Sequence, residues 1–311
     1  VSLPRVIVDG PLSPDLEAML HGQVEVLPWL APGTDYDDTI EGVYTYGHPT
    51  VDGPLMDRLP GLRVISNNGV GVDHIDLEAA KQRRIPVGNT PGAVDGATAD
   101  MAIALVLAAG RRIVESDQMA RAADFEQQRP QLLMAHEVHG KTIGIVGLGR
   151  IGRQVAKRAA GFEMRILYHN RHEKAGDDTG AIYVSLDQLL AESDFVVLTV
   201  PLTATTRGMI GSREIALMKS TAVLVNVARG PIVDTAALTQ ALQERRIRGA
   251  GLDVTDPEPL PRDHPLLRQS NVVITPHLGS ATYETRQKMA ELSIENLLAG
   301  LRGDDLTHQV G

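Results

Sequence analysis

Cysteine is missing from all 311 residues. That excludes disulfides, thiolate nucleophiles and cysteine-held metals. Aromatic side chains are scarce, at 3% with a single Trp, so a core has to be built from Leu, Val, Ile and Ala. No uncharged apolar run reaches the ~18–20 residues of a membrane helix. The opening VSLPRVIVDG lacks a basic region followed by an apolar stretch, so it does not read as a signal peptide, and a cytoplasmic location is expected. Basic charge is in deficit: 30 Lys and Arg face 39 Asp and Glu, for a net of −9. This disfavours a general nucleic-acid binder. His136 and His139 have no ligand cluster beside them in the sequence, so they read as linker histidines and no metal site is expected.

What is present suits a globular enzyme. The chain is 43% hydrophobic and 22% charged, with 30 Gly and 18 Pro. Its length suggests two domains, or one large one. The first hundred residues alternate short apolar runs with helical patterns. Strands are expected at 5–8, 24–27, 40–46, 63–66 and from Val87, and helices at 14–20 and 77–84. Such alternation implies a mostly parallel sheet. After the run ending at Ser66 comes Asn67-Asn68-Gly69-Val70-Gly71, a polar, glycine-rich loop at a strand's C-terminal end, where parallel sheets bind ligands. Residues 97–123 contain no Pro and are rich in Ala, Leu, Ile and Met; one long helix is expected there, buried over its first half. A second series of strands is expected at 142–146, 164–168, 195–200, 222–226, 250–253 and 272–275, with helices at 153–160 and 186–191. Six strands with intervening helices make a complete dinucleotide-binding domain. A last helix at 282–299 is expected to return to the first domain. The expectation is therefore α/β, with two Rossmann-like domains and a cleft between them: a substrate domain of residues 1–98 and 285–311, and a dinucleotide domain of residues 99–284.

Gly144-Ile145-Val146-Gly147-Leu148-Gly149-Arg150-Ile151-Gly152 is the sharpest local signal. A bare GxGxxG is common, but this one follows an apolar strand and opens an amphipathic helix. Gly147 permits the turn, Gly149 lets backbone approach a pyrophosphate, and Gly152 allows close helix–strand packing. The helix N-terminus, with Arg150 and Ile151, supplies amides to phosphates. At the end of the next strand, Asn170 stands where an NAD site carries an acid, followed by Arg171, His172 and Lys174. An acid would repel a 2′-phosphate; an amide beside cations accepts one. NADP(H) is therefore favoured, with NAD(H) possible.

Three further segments follow apolar strands in the same domain. They carry Asn226 with Arg229 and Gly230, Asp253 with Glu258, and His277. Arginine can grip a carboxylate bidentately, and histidine can pass a proton near neutral pH. Taken singly, each has an ordinary structural reading.

Together these segments resemble the D-isomer-specific 2-hydroxyacid dehydrogenases, and within them the glyoxylate/hydroxypyruvate reductases. The resemblance runs through Val70-Gly71-Val72-Asp73-His74, Asn89-Thr90-Pro91-Gly92, the Gly147-to-Gly152 fingerprint, Pro201-Leu202-Thr203 with Thr206, Asn226-Val227-Ala228-Arg229-Gly230, residues 251–259 and Pro276-His277-Leu278-Gly279-Ser280-Ala281-Thr282. It implies a flavodoxin-like substrate domain and a homodimer acting on a small 2-oxoacid or 2-hydroxyacid. It places the substrate-orienting arginine on Arg229, the paired carboxylate on Glu258 and the acid–base histidine on His277. It also implies that Asp253 contacts the nicotinamide amide, that Pro201 and Thr206 line the cofactor site, and that the amides of Val70 and Gly71 hold the substrate carboxylate. Phe125 stands roughly where many relatives have Trp. Gly69 stands where reductases often have Ser, and Trp29 reads as packing. Glu258 argues against a formate dehydrogenase, whose histidine pairs with Gln. Phosphoglycerate dehydrogenases often add a regulatory domain, for which this length leaves no room. Lactate-type and phosphite-type dehydrogenases and a nucleotide-sensing corepressor remain as alternatives.

Overall fold

Two α/β units, residues 1–94 with 281–311 and residues 95–280, make up the chain. They are seen in a computed structural model that describes residues 2–29, 38–123, 125 and 130–310. The sequence-based boundaries at 98/99 and 284/285 lie a few residues further along.

The first unit begins with β1 (Arg5–Val8), α1 (Pro14–Leu20), β2 (Glu25–Pro28), β3 (Ile40–Thr45), α2 (Gly53–Asp57), β4 (Val64–Asn67), α3 (Leu77–Gln82) and β5 (Val87–Gly88). Its strands run in the order 2-1-3-4-5 and pair in parallel, which is the flavodoxin-like order. The period-two alternation of strands sorts the core. Ile7, Val43 and Ile65 face α2 and α3. Val6, Tyr44 and Val64 face the other way. Trp29 packs, half-buried, against the first of these layers. Ser13 and Asp76 accept hydrogen bonds from the first-turn amides of α1 and α3, as N-caps do.

The second unit holds α4 (Asp95–Gly110), α5 (Ile113–Arg121), β6 (Thr142–Val146), α6 (Arg150–Ala160), β7 (Arg165–His169), β8 (Ile182–Tyr183), α7 (Leu186–Glu192), β9 (Phe195–Leu198), α8 (Ser212–Leu217), β10 (Val223–Asn226), α9 (Thr235–Gln243), β11 (Gly249–Leu252) and β12 (Val272–Ile274). The sheet order is β12-β11-β10-β9-β6-β7-β8, all parallel. Chain order reverses beside β6, so the loop after β6 stands at the topological switch point. Ile143, Ile145, Val197 and Val225 face α4 and α6, while Val146, Leu198 and Leu224 face α7, α8 and α9. The chain then returns to the first unit as α10 (Tyr283–Arg302) and β13 (Gln309–Val310). There α10 packs Ile294 and Leu297 on the Val6 and Val64 face, and β13 pairs antiparallel with β5.

Three expectations are corrected. The single helix at 97–123 is two helices: Arg112 takes a left-handed conformation at φ +53, which breaks the ladder. Helix α4 buries one face, including Ala99, Ala102, Ile103, Leu105 and Val106, whereas α5 has no buried residue, so the halves answer to different surroundings. Gly110 abuts Phe195 so closely that a Cβ would come within 2.8 Å of its ring. The second sheet has seven strands among the described residues rather than six, because Ile182–Tyr183 extends it beyond β7. Helices α2, α8 and α9, and β13, were not foreseen. They are short; α9 does carry an apolar stripe, at Ala237, Leu238, Ala241 and Leu242, that the sequence reading passed over.

Candidate active site in the dinucleotide unit

The loop from β6 to α6 is shaped by its glycines. Gly147 sits at φ +103, where a side chain is strained, and a Cβ there would lie 2.7 Å from Val200. A Cβ on Gly152 would lie 2.2 Å from the Gly147 carbonyl oxygen. Gly149, between them, faces open space. It is also the N-cap of α6, and no side chain caps that helix, whereas Ser185 and Asp234 cap α7 and α9. An uncapped, open helix N-terminus offers amide donors and a favourable dipole to an anion. The residues present therefore fit a dinucleotide pyrophosphate. The Arg150 side chain is turned to Asp95, with Nε 2.8 Å from the carboxylate. Arg150 and Ile151 thus contribute to the loop through their backbone.

Asn170 lies at the end of β7. Its side-chain oxygen accepts from the Leu148 amide at 2.8 Å, so its NH2 group is the end left for a ligand. Arg171 and His172 are exposed. Lys174 donates to the Leu148 carbonyl at 3.2 Å. After β9, the Thr206 hydroxyl donates to the Pro201 carbonyl at 2.7 Å and closes that turn.

The loops after β10, β11 and β12 converge. Buried Asn226 ends β10 and organises the turn that follows, donating to the Arg229 carbonyl at 2.9 Å and accepting from the Ala228 amide at 3.0 Å. A Cβ on Gly230 would lie 1.9 Å from the Thr255 carbonyl oxygen. Only glycine there lets the Arg229 loop meet the loop that carries Glu258. Glu258 accepts from the Thr255 amide at 3.2 Å through one oxygen and pairs with His277 Nδ1 at 2.7 Å through the other. Burial pushes the Glu258 carboxyl up, but the hydrogen bond and charge of His277, the Thr255 amide and Arg229 outweigh it. The group is held below the ordinary carboxylate range. Both side chains stay partly exposed, 32% for His277 and 41% for Glu258, so they remain within reach of a ligand.

His277 itself adopts φ +56, a costly conformation for a non-glycine residue. Asp253, only 2% exposed, holds it there. Its carbonyl accepts from the His277 amide at 2.8 Å. Its carboxylate accepts from the Thr275 hydroxyl at 2.6 Å and from the amides of Leu278 and Gly279 at 2.8 and 2.7 Å. Arg229, Asp253, Glu258 and His277 are thus brought together, with both Asp253 oxygens engaged inside the protein.

Val70 and Gly71 belong to the other unit, in the loop after β4. The side chains of Asn67 and Asn89 hold this loop; in the sequence both residues stand out only as members of motifs, with no role of their own. The only hint was the position of Asn67 at a strand end ahead of glycines. His136, His139 and Phe125 are exposed. Among the described residues no group of three or more His, Asp or Glu could hold a metal ion, and no helix is long and apolar enough to cross a membrane.

Residues 103–279 match the model of the D-isomer specific 2-hydroxyacid dehydrogenase NAD-binding domain. A glyoxylate reductase of Thermococcus gammatolerans is 47% identical over 271 residues, 85% of this chain and 81% of that protein. A crystal structure from Thermus thermophilus superposes with a TM-score of 0.90 at 43% identity, covering 99% of this chain and 100% of the other. The NADPH-dependent glyoxylate/hydroxypyruvate reductase of Sinorhizobium meliloti, solved with NADP and malonate, gives a TM-score of 0.91 at 33% identity, covering 100% and 97%.

Proposed function

Because the chain belongs to the D-isomer-specific 2-hydroxyacid dehydrogenases, as an NAD(P)-dependent oxidoreductase, we propose that it is an NADPH-preferring reductase of glyoxylate and hydroxypyruvate. The observation that carries this reading is the 2.7 Å pair of His277 and Glu258 beside Arg229, on loops at the C-terminal ends of β10, β11 and β12. When bound, a reduced nicotinamide supplies the hydride that the carbonyl carbon takes up. The Arg229 guanidinium grips the substrate carboxylate and draws charge toward the carbonyl oxygen. With Nδ1–H donated to Glu258, the ring presents Nε2, and the proton there passes to the forming alkoxide. Glu258 fixes the ring's orientation throughout. The amides of Val70 and Gly71 are assigned to the substrate carboxylate in this reading.

The NADPH preference rests on the NH2 end of Asn170 and the cations that follow it. Gly147, Gly149, Gly152 and the α6 amides take the pyrophosphate, while Pro201 and Thr206 flank the cofactor. The chain works as a homodimer in this reading, and exposed Ile113, Val114 and Met134 give the dinucleotide unit apolar surface to cover.

The test is initial rates of glyoxylate and hydroxypyruvate reduction with NADPH and with NADH. Fast NADPH oxidation with either acid is the expected result. NADH-only turnover would keep the enzyme class and overturn the cofactor preference. No turnover with any of the four pairs would overturn the substrate reading. Asn170→Asp is expected to move the efficiency ratio toward NADH at least ~10-fold, the scale of one charge-assisted contact.

A further inference from the structure

The loop after β4 is tied back through three consecutive carbonyls. Asn67, fully buried, donates from Nδ2 to the Gly69 carbonyl at 3.0 Å and to the Gly71 carbonyl at 2.9 Å. Asn89 donates to the Val70 carbonyl between them at 2.9 Å. The Thr90 amide makes a second bond to the Gly69 carbonyl at 3.1 Å. A trans peptide places its C=O and the following N–H on opposite sides. Holding the carbonyls of residues 69, 70 and 71 therefore turns the amides of Val70, Gly71 and Val72 the other way. Among the described residues, the Val70 and Gly71 amides donate to no protein group, and both residues are partly exposed. Consecutive amides facing one side form an anion-binding concavity.

The orientation of the Asn67 amide is itself fixed. Its oxygen accepts from the Thr45 hydroxyl at 2.9 Å. Its two N–H groups are fully used by two carbonyls, which can only accept. An aspartate of the same shape would have no hydrogen to give and would set its charge against two carbonyl oxygens.

We propose that Asn67 is a positioning residue for 2-oxoacid binding: it holds the 69–71 loop with its amides turned outward to receive the substrate carboxylate. This rests on the reading of Val70 and Gly71 as the carboxylate site. It assigns Asn67 to substrate affinity and leaves the hydride and proton steps to the other unit. Its loss should therefore act on KM rather than on kcat.

The experiment compares the full-length parent with Asn67→Ala and Asn67→Asp by glyoxylate kinetics, NADPH titration and hydrogen exchange of the peptide spanning residues 68–73. Expected are a rise of ~10-fold or more in KM for glyoxylate, kcat within ~3-fold, unchanged NADPH affinity and clearly faster exchange of that peptide, the scale following from one buried donor serving two acceptors. An unchanged KM in a parent that turns glyoxylate over, or equal losses in kcat and NADPH binding, would overturn the proposal. If the parent reduces no 2-oxoacid, the carboxylate reading fails and with it the affinity role; exchange then reads the clamp alone. Should Asn67 variants not fold, Asn89→Ala releases only the Val70 carbonyl and is expected to give the same KM-selective effect at smaller size. Its silence would likewise count against the clamp.

Discussion

The loop after β4 in the first unit and the loop after β12 in the second each hang on a buried polar side chain that binds the loop twice, but of opposite kind. Asn67 grips carbonyl oxygens with its NH2 group. Asp253 grips amide hydrogens with its carboxylate. Peptide geometry makes the consequences opposite too. Tying down carbonyls presents N–H groups, and a neutral amide does so without placing negative charge behind an anion site. Tying down N–H groups removes them as donors and leaves a side chain, His277, as the loop's reactive feature. The residue type at each strand end follows from which side of the peptide has to face the ligand.

The most severe way to break the second loop is to remove what it presents. His277→Ala is expected to cut turnover at least ~100-fold, the usual scale of acid–base assistance, with NADPH affinity unchanged by titration. Because Ala is strained at the left-handed φ of +56, His277→Asn serves beside it, since Asn tolerates that region. Turnover equal to the parent in both would remove His277 from the reaction.

Next in size is Asp253→Asn, which keeps the shape and replaces one acceptor oxygen by a donor. Depending on which oxygen is replaced, either the Gly279 amide or the Leu278 amide with the Thr275 hydroxyl then faces an NH2 group, an unmade bond worth about 1–3 kcal/mol. The loop should loosen and kcat fall ~10- to 100-fold, with KM for NADPH little changed. A rise in that KM at constant kcat would instead mark a direct contact with the nicotinamide amide, the role that resemblance assigns to Asp253.

Glu258→Gln is expected to be milder, ~10-fold in kcat, because the Nδ1–H still finds an acceptor oxygen and only the charge is lost. Its pH signature is separate. The folded carboxyl is held below its ordinary value, so the folded state binds this proton less tightly than the unfolded chain. The stability it contributes is present above the ordinary carboxylate range and is lost as the pH falls through the lowered value. Melting curves of the Gln variant should therefore decline less than the parent's over that acidic interval. An identical acid dependence would mean that the pair adds nothing to folding.

The contrast between the loops also marks how far the sequence could be read. Most strand positions and the glycine loop were legible because periodicity and GxGxxG placement are local. That the loops of His277, Glu258 and Arg229 meet could be expected because each follows an apolar strand of one parallel sheet, whereas their roles came only from the resemblance of several motifs taken together. What Asn67 and Asp253 do was not legible, since a buried polar residue acquires its role from partners that the fold supplies. Thr45 reaches Asn67 from a neighbouring strand, and Thr275 reaches Asp253 likewise from just past the end of β12. The break at Arg112 was hidden because no Pro interrupts residues 97–123, although the sequence turns from apolar to charged there as the surroundings change from core to surface.

The smallest expected effect tests whether the neutral clamp needs its own support. Thr45 is fully buried, and its hydroxyl donates to the Asn67 side-chain oxygen at 2.9 Å. Thr45→Val keeps the shape and deletes that donor, leaving a buried acceptor unsatisfied at a cost of about 1–3 kcal/mol. The amide does not gain by flipping, because its oxygen would then face two carbonyl oxygens. The clamp should therefore hold in a less stable fold: the melting temperature drops by a few degrees while KM for glyoxylate rises no more than ~3-fold. A KM as high as that of Asn67→Ala would show that Thr45, and not the paired carbonyls, decides which end of the amide faces the loop.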